Sequence, residues 1–202
     1  MDFTKYFNNI ANFYFSYIVC ADDYFSADIV RKVNLLYPPF KTRLNLMLDR
    51  FEELNSIEIP KIFETYRSLK RQKYLYQENK TSVSTSSYHH FGLASDIVFI
   101  KDGKITWEGN YKLLTDLSIP LGLFKTSYNE QCHFEYLPDS ELQKLRVFMT
   151  NKVKLFQQNY KLKVDGIIGP VTKSVMFQHY WGKDTTEMKL KVRQCNFTNN
   201  LS

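Results

Sequence analysis

Cysteine is scarce in this chain: Cys20, Cys132 and Cys195 are the only three in 202 residues. An odd, widely spaced set excludes a disulfide framework and leaves reduced thiols as the expectation. Long apolar runs are missing as well. None approaches the roughly 20 residues that a membrane-crossing helix requires, so no membrane span is expected. No helix-turn-helix signature, zinc-finger spacing or dense basic patch occurs, which argues against a nucleic-acid partner. Acidic residues are in deficit, 21 against 27 lysines and arginines, for a net charge of +6. The excess is modest and scattered, and favours anionic partners only in a general way. Histidine is nearly as rare as cysteine, yet three of the four histidines fall in two short clusters.

The composition, 44% hydrophobic and 24% charged, is that of a folded chain, long enough for one full domain or a domain plus a small appendage. Near the N-terminus, Ile10 to Ala21 is apolar and aromatic. Asp2 stands where a signal peptide would carry positive charge, and Phe3, Phe7, Ile10, Phe13, Tyr14, Tyr17 and Ile18 follow helical spacing. The expectation is an amphipathic helix packed on the domain, without a signal peptide, in a protein made in the cytoplasm.

Asp22 to Asn34 reads as a mixed connection punctuated by Pro38-Pro39, followed by a helix over Lys41–Leu54. Ile57-Glu58-Ile59 alternates like a short strand that Pro60 confines to an edge or an end. Ser68–Gln77 reads as a helix with Leu69, Gln72 and Tyr76 on one side. After a polar loop over Asn79–Ser87, Ala94–Ile100 reads as a buried strand. Asp102-Gly103 marks a hairpin and Lys104–Trp107 its return strand. A helix from Asn110 and a strand over Cys132–Tyr136 complete this part. From Asp139, two helices around Leu142–Phe148 and Val153–Gln157 are expected, then a third to Trp181 capped by Thr172, and a polar tail.

Where the polar loop turns apolar, the chain reads Ser87-Tyr88-His89-His90-Phe91-Gly92-Leu93-Ala94-Ser95-Asp96. Downstream stands Glu130-Gln131-Cys132-His133. A catalytic zinc takes three ligands from His, Asp or Glu and keeps a fourth position open. His89, Asp96 and His133 supply such a set, and Glu130 a carboxylate for proton transfer. Residue by residue, ordinary roles stay open: a solvated loop histidine, an aspartate satisfying a turn, a surface Glu130 and His133.

The ordered pattern Ser87-x-His89-x-x-Gly92-x-Ala94-x-Asp96, then Glu130-x-x-His133, resembles the zinc peptidases of the D-Ala-D-Ala carboxypeptidase and L-alanyl-D-glutamate endopeptidase group. Their wider clan includes lysostaphin-type peptidases and the hedgehog signalling domain. Tyr66-Arg67-Ser68-x-x-x-x-Gln72 is similar to the arginine segment of that group. The resemblance spans about Tyr37 to Pro138. It implies Zn2+ bound by His89, Asp96 and His133, with Glu130 as general base and acid. Arg67 would hold the substrate carbonyl or its oxyanion, and Ser87 would support the ligand loop. His90 stands where the group often has asparagine, and the register to Gly92 and Asp96 selects His89. The Trp-Gly-Gly stretch that many members carry is replaced by Phe124-Lys125-Thr126. Cys132 reads as a small strand residue rather than a ligand.

Val153-x-x-Phe156-Gln157, then Leu162-x-Val164-Asp165-Gly166-Ile167-Ile168-Gly169-Pro170-x-Thr172, resembles the repeat of three-helix peptidoglycan-binding modules, with Phe156 and Leu162 in a small core. The expected architecture is α+β: a small antiparallel sheet with flanking helices over residues 1–138, a mainly helical module over 139–182, and a tail over 183–202. The expected function, by resemblance, is zinc-dependent hydrolysis of an amide bond in the peptidoglycan stem peptide, an L-Ala-D-Glu endopeptidase in the manner of a phage endolysin. The expected enzyme is a monomer that acts at the cell wall or periplasm after release at lysis. A D-Ala-D-Ala carboxypeptidase, or a non-catalytic wall-binding protein that keeps the fold, are the alternatives.

Overall fold

Prolines and short polar side chains decide where several of the helices begin. The structure, a computed structural model, describes residues 3–125 and 131–182. Helix α1 is Phe3–Phe13, and its turns widen into a π-helical stretch over Tyr14–Ile18. Helix α2 is Pro38–Leu54. Pro38 and Pro39 occupy its first positions, where a missing N–H costs nothing and the fixed φ suits a helix, so they start α2 instead of punctuating the chain before it. Strand β1 is Ile59–Glu64 and helix α3 is Leu69–Gln77, capped by Ser68, whose Oγ accepts from Arg71 N at 3.0 Å. Strands β2, Ala94–Lys101, and β3, Lys104–Thr106, are joined by Asp102-Gly103, both at positive φ. Helix α4, Tyr111–Ser118, is capped by the Asn110 side chain. Strand β4 is His133–Glu135, helix α5 is Leu142–Asn159 and helix α6 is Pro170–Trp181.

The sheet is antiparallel throughout and is built on β2. Strand β1 runs along one side of it, while β3 and β4 share the other side, β3 at Phe99–Lys101 and β4 at Ala94–Asp96. This is the expected α+β class, a small antiparallel sheet with flanking helices. β2 is buried from Ala94 to Phe99, and Phe99 meets Phe51 of α2 and Tyr111 of α4 ring to ring. Strand β1 extends through Pro60 to Glu64, well beyond the Ile57–Ile59 stretch. Pro60 is tolerated because β1 is an edge strand. On α3 the buried positions are Gln72 and Leu75, while Leu69 and Tyr76 are exposed, which corrects the expected face.

The chain divides into two compact units, Asp22–Arg146 and a second made of Met1–Ala21 with Val147–Ser202. The N-terminal helix therefore belongs with the C-terminal segment, not with residues 22–138. Within that unit Phe7 meets Phe148 at 5.5 Å between ring centroids, Tyr17 meets Trp181 edge-on at 5.6 Å, and Trp181 Nε1 donates to Ser16 O at 2.6 Å. The two helices expected over Leu142–Gln157 are one continuous helix, since no glycine or proline interrupts it. Gly169 precedes α6 in the capping position. Thr172 is buried inside the helix beside Gln157 instead of capping it. Phe156 and Leu162 are half-buried, and Val153, Ile168 and Met176 are the buried apolar residues beside them. The Cys20 thiol is pushed up to about 11 by burial, with Lys173 and Trp181 opposing, as suits an inert reduced thiol. No helix among the described residues is long and apolar enough to cross a membrane.

Candidate metal centre

The antiparallel register places Glu64, Asp96 and His133 in one row across β1, β2 and β4. Paired residues on neighbouring strands project to the same face, so three polar side chains converge on one face of the sheet. His89 reaches the row from a 3-10 turn over Tyr88–Phe91. Gly92 ends that turn at φ 68°, a conformation that favours glycine, and the chain then enters β2. The turn is tied down by His90 N donating to Ser87 O at 3.0 Å and Gly92 N donating to His89 O at 3.1 Å.

Three atoms meet there. Asp96 Oδ1 lies 2.9 Å from His133 Nδ1 and 3.3 Å from His89 Nε2, and the two imidazole nitrogens are 3.2 Å apart. All three residues are buried. The remaining ring nitrogens identify the tautomers. His89 Nδ1 is 3.1 Å from Thr65 O, and a carbonyl only accepts, so Nδ1 carries the hydrogen and Nε2 is bare. His133 Nε2 is 2.8 Å from Glu135 Oε1, so Nε2–H donates to that carboxylate, and Nδ1, 2.9 Å from Asp96 Oδ1, is the nitrogen left to face a metal. His89 Nε2, His133 Nδ1 and Asp96 Oδ1 thus point at one another. A tetrahedral zinc with bonds of about 2.0–2.1 Å holds its ligands about 3.3 Å apart, close to the separations here. The donor set, His2Asp with a position left over, fits a catalytic divalent ion.

Electrostatics agree. Around the row the carboxylates of Asp96 and Glu64 face the guanidiniums of Arg67 and Arg71 while that of Glu135 faces His133; three carboxylates against two guanidiniums leave a surplus of one negative charge that a cation offsets. Burial works against ionisation of Asp96, but its interactions with His89 and His133 outweigh it and hold the carboxyl well below the usual carboxylate range. Burial holds His89 below the usual imidazole value, so it stands neutral as a ligand must. Burial also opposes a charge on His133, yet its bonds to Asp96 and Glu135 push it up to about 10 in the absence of metal. A proton on His133 then does the work that a metal cation would do.

His90, the neighbour in the doublet, goes elsewhere. Its Nδ1–H donates to Arg67 O at 3.2 Å, its ring lies against Tyr24 and Tyr66, and burial pushes it down to about 4. Arg67 lies beside the row. Its Nη2 donates to Asp96 Oδ2 at 2.8 Å and to Glu64 Oε2 at 2.6 Å, and its Nε also donates to Glu64. Nη1 is 3.4 Å from Gln72 Oε1. Ser87 Oγ donates to the same Gln72 oxygen at 3.3 Å, so Ser87 links to Arg67 through Gln72 and does not touch the ligands. Cys132 is half-buried before β4 and offers its carbonyl to Ile97 N. Glu130 lies outside the described residues.

Sequence reasoning missed Glu64, Arg71 and Glu135. Glu64 is nearly fully buried and clasped by Arg67 and Arg71. Both glutamates had a findable signal: Glu64 precedes Arg67 by three, and Glu135 follows His133 by two on a strand, which puts them on one face.

Comparison with known proteins adds two findings. The family model of a peptidoglycan binding domain matches residues 133–176. That match runs from β4 through α5 into α6. The crystal structure of the Serratia marcescens L-Ala D-Glu endopeptidase ChiX superimposes with a TM-score of 0.41 at 16% identity, covering 55% of this chain and 91% of that one. No curated protein matches the chain in sequence.

Proposed function

We propose that this protein is a zinc-dependent peptidoglycan hydrolase that cleaves an amide bond of the stem peptide, as an L-alanyl-D-glutamate endopeptidase. The observation that carries the reading is the meeting of His89 Nε2, Asp96 Oδ1 and His133 Nδ1 at one buried point, with an acceptor at the far nitrogen of each imidazole. The ordered motifs around these residues support the substrate class. So does the peptidoglycan-binding match over residues 133–176.

A zinc ion held by His89, Asp96 and His133 would supply Lewis acidity and a water of lowered pKa. The chain's own groups do the rest. Glu130, three residues before His133, takes a proton from the attacking water and delivers it to the leaving amine as the C–N bond breaks. Arg67 holds Asp96 Oδ2 and thereby turns Oδ1 toward the ligand cluster. Its positive charge would also offset negative charge that grows on the scissile carbonyl, and its Nη1 arm meets Gln72. Gln72 and Ser87 steady that arm. The enzyme works at the cell wall, where lysis of the producing cell would deliver it.

Digestion of purified peptidoglycan with mass analysis of the fragments tests this. New glutamate N-termini are the expected product. Loss of one terminal alanine would make the enzyme a carboxypeptidase, and absence of any released fragment with zinc bound would make the fold a non-catalytic wall binder.

A further inference from the structure

We infer that Glu135 is a positioning residue that selects which nitrogen of His133 faces the metal. The inference rests on the metal-centre reading above and deepens it. Glu135 sits on β4 two residues after His133, with its backbone locked on both sides, opposite Ala94 on β2 and in a two-bond bridge to Phe124. Its side chain is buried, and Oε1 accepts from His133 Nε2 at 2.8 Å. The other oxygen, Oε2, has no hydrogen-bond partner among the described residues.

A buried carboxylate with an unsatisfied oxygen is costly to keep, and packing alone does not call for one. What it does accomplish is local. With the proton on Nδ1 instead, His133 Nε2 would turn a lone pair on a carboxylate oxygen. Glu135 therefore keeps the ring proton on Nε2 once Nδ1 is given to a metal beside Asp96 Oδ1. Thr65 O does the opposite for His89, keeping Nε2 bare. The two imidazoles thus present different nitrogens to one point, each chosen by its outer partner. The formal charge of Glu135, unlike the Thr65 carbonyl, also strengthens the donor character of His133.

Zinc affinity measured by chelator competition, and the visible spectrum of the cobalt-substituted protein, test the assignment on the full chain. E135Q and E135A should weaken zinc binding about 10–100-fold and shift the cobalt bands. E141Q is the control, because Glu141 is another buried glutamate with an unpartnered Oε2 but is bound to Lys144, not to a ligand. It should bind zinc as the parent does. Affinity and spectra unchanged in both Glu135 variants, or an equal loss in E141Q, would overturn the inference. Imidazole 15N–1H correlation spectra of the zinc-loaded parent need no variant at all. They should show His133 protonated on Nε2, and a proton on Nδ1 would sink the idea. A parent protein that takes up no zinc would bring down the metal-centre reading itself, whereas zinc uptake indifferent to Glu135 would remove this inference alone.

Discussion

Asp96 and His133 face each other across the β2–β4 ladder, and Asp96 Oδ1 lies 2.9 Å from His133 Nδ1. The two residues are 37 apart in the chain, so the strand register brings them together, and each expected effect of substitution depends on that register.

The histidine doublet separates by metal content. H89A should purify without zinc, because it removes the Nε2 that points at Asp96 Oδ1. H90A should retain it, because His90 bonds to a backbone carbonyl and packs on Tyr24 and Tyr66. Elemental analysis of the two purified variants decides, and the reverse outcome would move the ligand register by one residue.

For Glu130 the expectation is a split between binding and turnover. E130Q should keep zinc and lose about 10^2–10^4-fold in hydrolysis, the usual worth of a general base. Turnover equal to the parent would remove Glu130 from the mechanism. Stripping the parent with a chelator should abolish hydrolysis, and added zinc should restore it.

Arg67 should matter for stability as well as rate. Glu64 is almost completely buried and depends on Arg67 and Arg71 for its charge partners. R67A leaves that carboxylate half-compensated, at a cost of about 3–5 kcal/mol. Thermal denaturation should show a clear fall in Tm for R67A and a smaller one for R67K, which supplies the charge without the fork of donors. A melt unchanged in R67A would contradict the buried network.

Glu58 carries a pH signature away from the metal. The Lys101 side chain at 2.9 Å, which outweighs a small burial penalty, and the bonds from Asn110 N and Asn55 hold its carboxyl below the ordinary 4.5. A carboxyl depressed in the folded state stabilises the fold above its unfolded pKa, and that contribution disappears as pH falls through the folded value. E58Q should therefore melt below the parent at pH 7, with the gap closing as the pH drops below 4.5. A gap that persists at low pH would mean that packing, not charge, is responsible.

In the other unit, Gln157 holds a loop by both ends of its amide. Nε2 donates to Asp165 Oδ1 and Ile167 O, and Oε1 accepts from the N–H groups of Asp165 and Gly166 at 3.1 and 2.8 Å. Q157L strands the Gly166 N–H and leaves Asp165 N only its 3.2 Å bond to Lys163 O, and should cost about 1–3 kcal/mol. Hydrogen exchange should speed up at Asp165 and Gly166 first. Exchange there no faster than in the parent would refute the clamp.

Much of this architecture was readable from the chain. An apolar run marks β2, helical spacing marks most of the helices, Asp102-Gly103 marks the hairpin, and Ser68 and Asn110 mark two helix starts, because these signals act over a few residues. Pro38 misled because proline is tolerated at a helix start as well as in a connection, and only tertiary context says which applies, whereas Pro60 marked an edge strand without telling how far it runs. The candidate ligands were readable by order and spacing. The tertiary structure alone decided which nitrogen of each histidine points inward, that His90 turns to Arg67 O, that Arg67 is tied to Glu64 and Asp96, and that Glu135 backs His133. Sequence determines which side chains a segment can offer and on which face. Register between strands and the bonds made by the far side of each ring are long-range facts, set when β1, β2 and β4 pair, and those bonds determine what the offered atoms can bind.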